Sequence, residues 1–72
     1  MDIRRVVGEN VRRYRLAAKL SQEELAARMG FEQEYVSKLE AGKRNPTITT
    51  IWHAAIALKV KPADLFETKK SR

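Results

Sequence analysis

The sequence predicts an all-α fold, a compact domain of five short helices. Apolar residues recur at helical spacing along nearly the whole chain. Residues that favour strands are scattered, and hairpin turn pairs such as Asn-Gly do not occur. Gly30, Gly42, Pro46 and Pro62 fall between the periodic segments, where they would end one helix or begin the next.

The length and composition fit one small globular domain. With 72 residues and 43% hydrophobic residues, the chain has room for a single small core, predicted over residues 1–68, followed by a frayed basic tail at 69–72. The sequence contains no cysteine, which excludes disulfides and thiolate metal sites. We find no apolar stretch long enough for a membrane span and no signal segment, and we therefore expect a cytoplasmic protein.

The charge balance favours a polyanionic partner. Fifteen Lys and Arg residues against nine Asp and Glu residues give a net charge of +6. Such an excess most commonly serves nucleic acid binding, although a soluble protein with a merely basic face has the same composition.

The first helix is predicted over residues 2–18. Val7, Val11 and Tyr14 recur at positions i, i+4 and i+7, which places them on one buried stripe. The arginines of this segment lie mostly off the stripe, where they form a solvated face or contact phosphate groups.

Two short helices follow on either side of Gly30. Ser21 and Glu24 form an S-x-x-E capping box at the start of the second helix. Gly30 suits the left-handed conformation that ends it. The third helix is predicted over residues 32–41 and stops at Gly42. The inward positions of this pair are Leu25, Ala26, Met29, Phe31, Val36 and Leu39.

The last two helices follow a polar loop. Thr47 is the expected cap of a fourth helix that runs to about residue 58, with Ile48, Ile51, Ala55 and Leu58 on its inner face. A fifth short helix begins near Pro62, because proline fits the first turn of a helix.

The second and third helices together predict a helix-turn-helix. In this motif the first helix crosses the DNA backbone and the second enters the major groove. The exposed face of the third helix carries hydrogen-bonding side chains: Gln33, Glu34, Ser37 and Lys38. Short helix pairs also occur in bundles that do not bind DNA, so this face is also compatible with a solvated surface.

Several stretches resemble the phage-repressor and Cro-type (XRE-like) helix-turn-helix family. They are "VGENVRRYR", "LSQEELAARMG", "YVSKLEAGKRNP" and "VKPADLF", and the resemblance covers residues 7–66. It implies a lambda-repressor-like domain and a transcriptional regulator that binds double-stranded DNA. Within the family, the Tyr35-Val36-Ser37 run and the Arg44-Asn45 pair also resemble the small controller proteins of restriction–modification systems.

The resemblance assigns roles to residues that match the family's motif. Gln33 corresponds to the main base-contacting residue, and its amide can pair with adenine in the major groove. Gln22 corresponds to a glutamine that contacts a phosphate and also braces that residue. Lys43, Arg44 and Asn45 lie in the loop that follows the sugar-phosphate backbone, and Arg44 is also a candidate for contact with a groove.

Other polar side chains are also predicted to contact DNA, and for some of them a second role is equally compatible with the sequence. Ser37 and Lys38 can donate to base edges, whereas Glu34 either accepts from cytosine or excludes wrong bases. Tyr35 either donates to a phosphate or packs over the second helix. Two further residues are phosphate candidates: Arg13 and Lys19.

Two charged residues are assigned a structural role. Arg15 and Glu40 match a family salt bridge that ties the first helix to the end of the third. His53 is the only histidine, and no cluster of ligands accompanies it. No nucleophile–base arrangement or phosphate-binding glycine loop is present, so we expect neither an enzyme nor a metal, cofactor or small-molecule ligand.

We expect a homodimer, because one recognition helix contacts only half of a two-fold-related site. The predicted dimer surface consists of Trp52, Ile56, Leu65 and Phe66. The alternative is that Trp52 and Ile56 cover the core of a monomer beneath the C-terminal tail. For function, the alternative is an antitoxin-type module that binds a protein and also regulates itself through DNA.

Overall fold

The computed structural model describes residues 2–68 and is helical in each regular element of that range. The elements are α1 (Ile3–Ala17), α2 (Gln22–Met29), α3 (Gln33–Glu40), α4 (Ile48–Leu58) and a 3₁₀ helix (Pro62–Phe66). The all-α prediction is confirmed, and the fifth element is a single tight 3₁₀ segment. The predicted basic tail at 69–72 lies outside the described residues.

Side-chain caps determine where the helices begin. The Ser21 hydroxyl accepts from the Glu24 amide at 3.0 Å, and the Glu24 carboxylate accepts from the Ser21 amide at 2.7 Å, so the predicted capping box is present. The amide of Ser21 lowers the pKa of Glu24 because it stabilises the carboxylate. Thr47 caps α4 through a hydrogen bond that its hydroxyl accepts from the Thr50 amide.

The core lies between α1, the α2–α3 pair, α4 and the 3₁₀ helix. Its largest fully buried side chains come from four of these elements: Val7, Val11, Leu25, Val36, Leu39 and Leu65. The prediction that Leu65 belongs to a dimer surface was wrong, since this side chain is fully buried within one chain. It points inward because Asn10 on α1 donates to the carbonyl of Leu65 at 2.9 Å and docks the 3₁₀ helix there.

The inner face of α4 differs from the predicted one at its first residue. Ile51, Ala55 and Leu58 are buried as expected, but Ile48 is 88% exposed. Ile48 occupies the first position of α4, and the buried face is completed instead by Thr50, Ala54 and Ala57. The prediction of Ile48 as a core residue was therefore wrong.

Gly8 marks the closest approach between α1 and α3. A Cβ atom at this position would lie 2.3 Å from the carbonyl oxygen of Leu39 and 2.9 Å from that of Glu40. Both are backbone atoms, so they cannot rotate away as a side chain can. Any side chain at position 8 would push α1 off the C-terminal end of α3.

We therefore expect Gly8→Ala to destabilise the domain, although Gly→Ala in an open helix stabilises it by about 1 kcal/mol. The loss should reach about 3 kcal/mol, because the overpacking is against backbone. Gly30→Ala is the control: its Cβ meets open space, and only the left-handed φ of 78° costs about 1–2 kcal/mol. Urea denaturation measures both, and a Gly8→Ala variant as stable as the wild type would contradict this account.

Candidate nucleic-acid interface

The α2–turn–α3 unit presents a polar face on its second helix. Gly30 ends α2 with a φ of 78°, and its conformation turns the chain directly into α3. On the side of α3 that faces away from the core, Gln33, Glu34, Ser37 and Lys38 are all exposed. Val36 and Leu39 fix the opposite side by packing into the core. The residues predicted to contact bases thus lie together on one solvent-facing surface.

A buried ion pair joins α1 to the end of α3. Arg15 donates from Nε and Nη2 to the two carboxylate oxygens of Glu40, at 2.6 and 3.0 Å. The side chains are only 9% and 4% exposed. Arg15 also donates from Nη1 to the carbonyl of Leu20 at 2.8 Å. The hydrogen bonds that Arg15 donates to Glu40 raise the pKa of Arg15, so the guanidinium stays charged despite its burial.

A hydrogen-bonded chain extends from this pair to the surface. Gln22, at the start of α2, donates from Nε2 to Glu40 at 3.1 Å. Its Oε1 accepts from Gln33 Nε2 at 3.5 Å, a long contact at the limit of a hydrogen bond. Gln33 is therefore linked through one side chain to the buried charges. This is the bracing arrangement that the family resemblance implies for the two glutamines.

The loop after α3 carries its polar side chains toward solvent. Lys43, Arg44 and Asn45 are all exposed. The guanidinium of Arg44 lies over the Tyr35 ring, 4.4 Å from its centroid, which limits the directions that this arginine can take.

Tyr35, whose ring contacts Arg44 of this loop, also contacts two other parts of the chain. Its hydroxyl donates to Thr50 on α4 at 3.3 Å, and its ring meets that of Phe31 edge to face at 4.7 Å. The hydroxyl therefore has a partner on α4, and the ring contacts the turn that follows α2. The phosphate contact of Tyr35 stays a prediction.

A surface ion pair lies on the exposed side of α3. Glu34 and Lys38 are one helical turn apart, and Lys38 Nζ lies 3.3 Å from Glu34 Oε2. Both side chains are largely in solvent, at 77% and 49% exposure. Together with Glu32, Tyr35 and Arg44 they line a shallow depression beside α3.

The two remaining phosphate candidates lie apart from each other. Lys19 is exposed and follows α1 with a φ of 61°, three residues before Gln22. Arg13 donates to Asn10 at 2.9 Å and lies 3.9 Å from Glu67, at the 3₁₀ end of the molecule. Since Arg13 is two residues from Arg15, it projects from nearly the opposite side of α1. Whether Arg13 contacts phosphate stays a prediction, made for a residue on the side of α1 away from Arg15.

An apolar stripe runs along the outer side of α4. Ile48, Trp52 and Ile56 are 88%, 55% and 57% exposed, and their spacing of four residues aligns them. Phe66 and Ile3 flank the stripe at 45% and 47% exposure. We call these five residues the α4 patch. The alternative that Trp52 and Ile56 lie beneath the C-terminal tail falls on residues 69–72, outside the described residues. Ile48 and Ile3 are members that the sequence reasoning missed. The spacing of 48, 52 and 56 was the available signal.

Within residues 2–68, no three His, Cys, Asp or Glu side chains are grouped so as to hold a metal ion. His53 is exposed and its ring lies 6.2 Å from that of Phe31, a tilted aromatic contact. None of the helices described here is long and apolar enough to cross a membrane.

Comparisons with known proteins agree with this geometry. A profile of the helix-turn-helix family matches residues 11–65. The chain belongs to the helix-turn-helix family. An HTH-type transcriptional regulator of Sinorhizobium fredii is 49% identical over 65 residues, which cover 90% of this chain and 84% of that protein. The control protein C.SmaI of Serratia marcescens is 43% identical over 58 residues, which cover 81% of this chain and 69% of C.SmaI.

A solved structure supports the same membership. The restriction-modification controller protein C.AhdI from Aeromonas hydrophila is 38% identical and superposes with a TM-score of 0.85, covering 88% of this chain and 96% of that one. As a helix-turn-helix protein with regulator relatives, the chain is a DNA-binding transcriptional regulator. The resemblance stated from the sequence is confirmed.

The buried ion pair should dominate the stability of this helix-turn-helix. We expect Arg15→Ala and Glu40→Gln each to cost about 3–5 kcal/mol, since each leaves the other buried group without its partner. Glu9→Gln is the control, because the Arg5–Glu9 pair at 3.5 Å is 71% and 68% exposed and should contribute under about 0.5 kcal/mol. Thermal unfolding without DNA measures all three. Equal melting temperatures for the four proteins would remove the structural role of the pair.

Proposed function

We propose that this regulator binds a two-fold-related operator as a homodimer, with α3 of each chain in the major groove. The observation that carries the proposal is the chain of contacts from the buried Arg15–Glu40 pair through Gln22 to Gln33. It holds a base-reading amide in place at the start of α3 before DNA arrives. A preorganised side chain loses less freedom on binding, which favours both affinity and selectivity.

The exposed face of α3 supplies the base contacts in this proposal. Gln33 pairs with adenine through its amide, which can donate to N7 and accept from the N6 amino group. Lys38 donates to guanine, and Ser37 lies one turn from Gln33 on the same face. Arg44 remains a candidate for a groove contact. Its guanidinium lies over the Tyr35 ring, and it would contact the groove either from that position or after leaving the ring.

The phosphate contacts come from the edges of the same surface. Gln22 is the first residue of α2, where backbone amides and the helix dipole favour an anion. Lys43 and Asn45 extend the contact along the loop after α3, and Lys19 lies on the approach to α2. These residues carry no sequence information themselves, but they fix the register of α3 in the groove.

Two substitutions should separate base contact from phosphate contact. Gln33→Ala should cost about 1–3 kcal/mol on the preferred duplex and relax preference at one base pair. Lys43→Ala should weaken all duplexes alike and reduce the slope of log affinity against log salt by about one. Titrations of matched and singly changed duplexes at several salt concentrations measure both. An unchanged site preference in Gln33→Ala would contradict the assignment of α3.

The α4 patch supports the homodimer. Ile48, Trp52 and Ile56 form an apolar stripe about 12 Å long on one side of α4, and Phe66 and Ile3 widen it. Contiguous exposed apolar surface of this kind marks interaction sites. Tryptophan is enriched at the energetic centre of interfaces. A two-fold-related operator requires two copies of α3 about 34 Å apart, one turn of DNA, and in this proposal the two-fold pairing of this surface provides that spacing.

We expect Ile56→Glu to give a folded monomer with much weaker operator binding, because the carboxylate would be buried without a partner at the interface. The control is Leu16→Glu: Leu16 is 51% exposed on α1, outside the α4 patch, and should leave the dimer intact. Analytical ultracentrifugation at micromolar concentration, with and without DNA, distinguishes the two variants. A wild-type chain that is monomeric in both conditions would contradict the proposal.

The relatives of this chain favour a role in a restriction–modification system. C.SmaI and C.BamHI, 43% and 37% identical to this chain, are named control proteins, and C.AhdI is described as a restriction-modification controller. We propose the same setting here. If it holds, the operator obtained by selection should lie beside genes for a restriction endonuclease or its methyltransferase.

A further inference from the structure

The exposed ion pair between Glu34 and Lys38 brings a carboxylate to a surface that must approach DNA. Glu34 lies in the first turn of α3, directly beside Gln33, and is 77% exposed. A carboxylate here is repelled by the phosphates on both sides of a groove. Exposed pairs of this kind add little to stability. The pair therefore needs an explanation in terms of what it meets in the groove.

The pair presents a donor and an acceptor side by side. Lys38 Nζ lies 3.3 Å from Glu34 Oε2, which places the ammonium group beside the carboxylate. One of the ammonium hydrogens faces Glu34, and two remain for other acceptors. The second carboxylate oxygen of Glu34 remains able to accept a hydrogen bond.

One base pair matches this arrangement. Across the major groove, a guanine–cytosine pair presents the N7 and O6 acceptors of guanine and then the N4 donor of cytosine. An adenine–thymine pair places its donor between two acceptors, so no edge offers two adjacent acceptors to a lysine. A guanine–cytosine pair in one orientation therefore satisfies both members of the ion pair.

Resting on the proposed function, we propose that Glu34 is a specificity-determining residue that acts as a unit with Lys38. Lys38 donates to guanine, and Glu34 accepts from the cytosine of the same base pair. At an adenine–thymine pair the lysine meets only one acceptor beside the N6 donor, and at a guanine–cytosine pair in the reverse orientation the carboxylate faces an acceptor. Glu34 thus lowers affinity for the reversed pair, and Lys38 gains two acceptors only from guanine, so that binding favours one guanine–cytosine pair in each half-site.

Glu34→Ala and Glu32→Ala form a matched pair of variants. Both residues are exposed, both changes raise the net charge by one, and Glu32 makes no capping hydrogen bond from its side chain. For each variant and the wild type, a selection from random duplexes gives the preferred site. Titration of that site and of its single-base variants then gives the discrimination at each position. Circular dichroism confirms that each variant is folded.

In the wild type, replacing the selected guanine–cytosine pair should lower affinity about tenfold or more. Glu34→Ala should reduce that discrimination to about threefold or less while keeping the rest of the site, and Lys38→Met should lose preference at the same position. Glu32→Ala should retain the full discrimination and only bind all duplexes more tightly.

Three outcomes would overturn the inference. The discrimination could be unchanged in Glu34→Ala, the same change could occur in Glu32→Ala, or the position sensitive to Glu34 could be an adenine–thymine pair. In each case Gln33→Ala would still relax its own base pair, so the proposed function would stand. A wild-type chain that selects no sequence would instead contradict the proposed function and this inference together.

Discussion

The ion pair between Arg15 and Glu40 is the interaction on which the rest of this structure depends. Burying two charges is costly unless each is paired and its remaining hydrogen-bonding capacity is used. Here both oxygens of Glu40 accept from Arg15, and Gln22 adds a third hydrogen bond. The third nitrogen of Arg15 donates to the Leu20 carbonyl. Within residues 2–68, no buried side-chain nitrogen or oxygen lacks a partner.

This pair matters because α3 cannot hold its own position. An eight-residue helix is only two turns long, and isolated helices of that length do not form in water. Packing of Val36 and Leu39 fixes one side of it, and the ion pair fixes its C-terminal end against α1. Gly8 makes the contact between α1 and the C-terminal end of α3 possible. Because glycine has no Cβ atom, α1 can lie against the carbonyls of Leu39 and Glu40. Gly8 and Arg15 are seven residues apart and therefore share one face of α1.

Local signals in the sequence were enough to predict the helices and their caps. Ser21 and Thr47 occur where free backbone amides at a helix start need an acceptor, and Gly30 occurs where a helix ends in the left-handed conformation. These requirements involve only neighbouring residues. The helix-turn-helix and its exposed face follow from the same periodicity. The joining of Arg15 to Glu40 came from the family resemblance, since nothing in the spacing of residues 25 apart indicates a contact.

What the sequence did not predict depends on contacts between distant elements. Leu65 is buried because Asn10 docks the 3₁₀ helix onto α1, a pairing 55 residues apart. Ile48 is exposed because it lies on the outer side of α4 with Trp52 and Ile56, whereas Ile51 and Ala55 face the core. Arg13 lies 3.9 Å from Glu67 because it projects from nearly the opposite side of α1 to Arg15, toward the 3₁₀ end. Periodicity assigns a residue to a face of its own helix, but not the partner that the face meets.

The polar α3 face and the apolar α4 patch both reduce the area that this small chain can bury in its own core. The α3 face must stay polar to meet DNA, so it adds nothing to the core, and the α4 patch leaves apolar area in water that a larger domain would bury. Pairing of the α4 patch in the proposed homodimer would bury that area and stabilise each domain by mass action. The same pairing would fix the distance between the two copies of α3. Stability, dimerisation and operator binding would then be coupled, and each would depend on protein concentration.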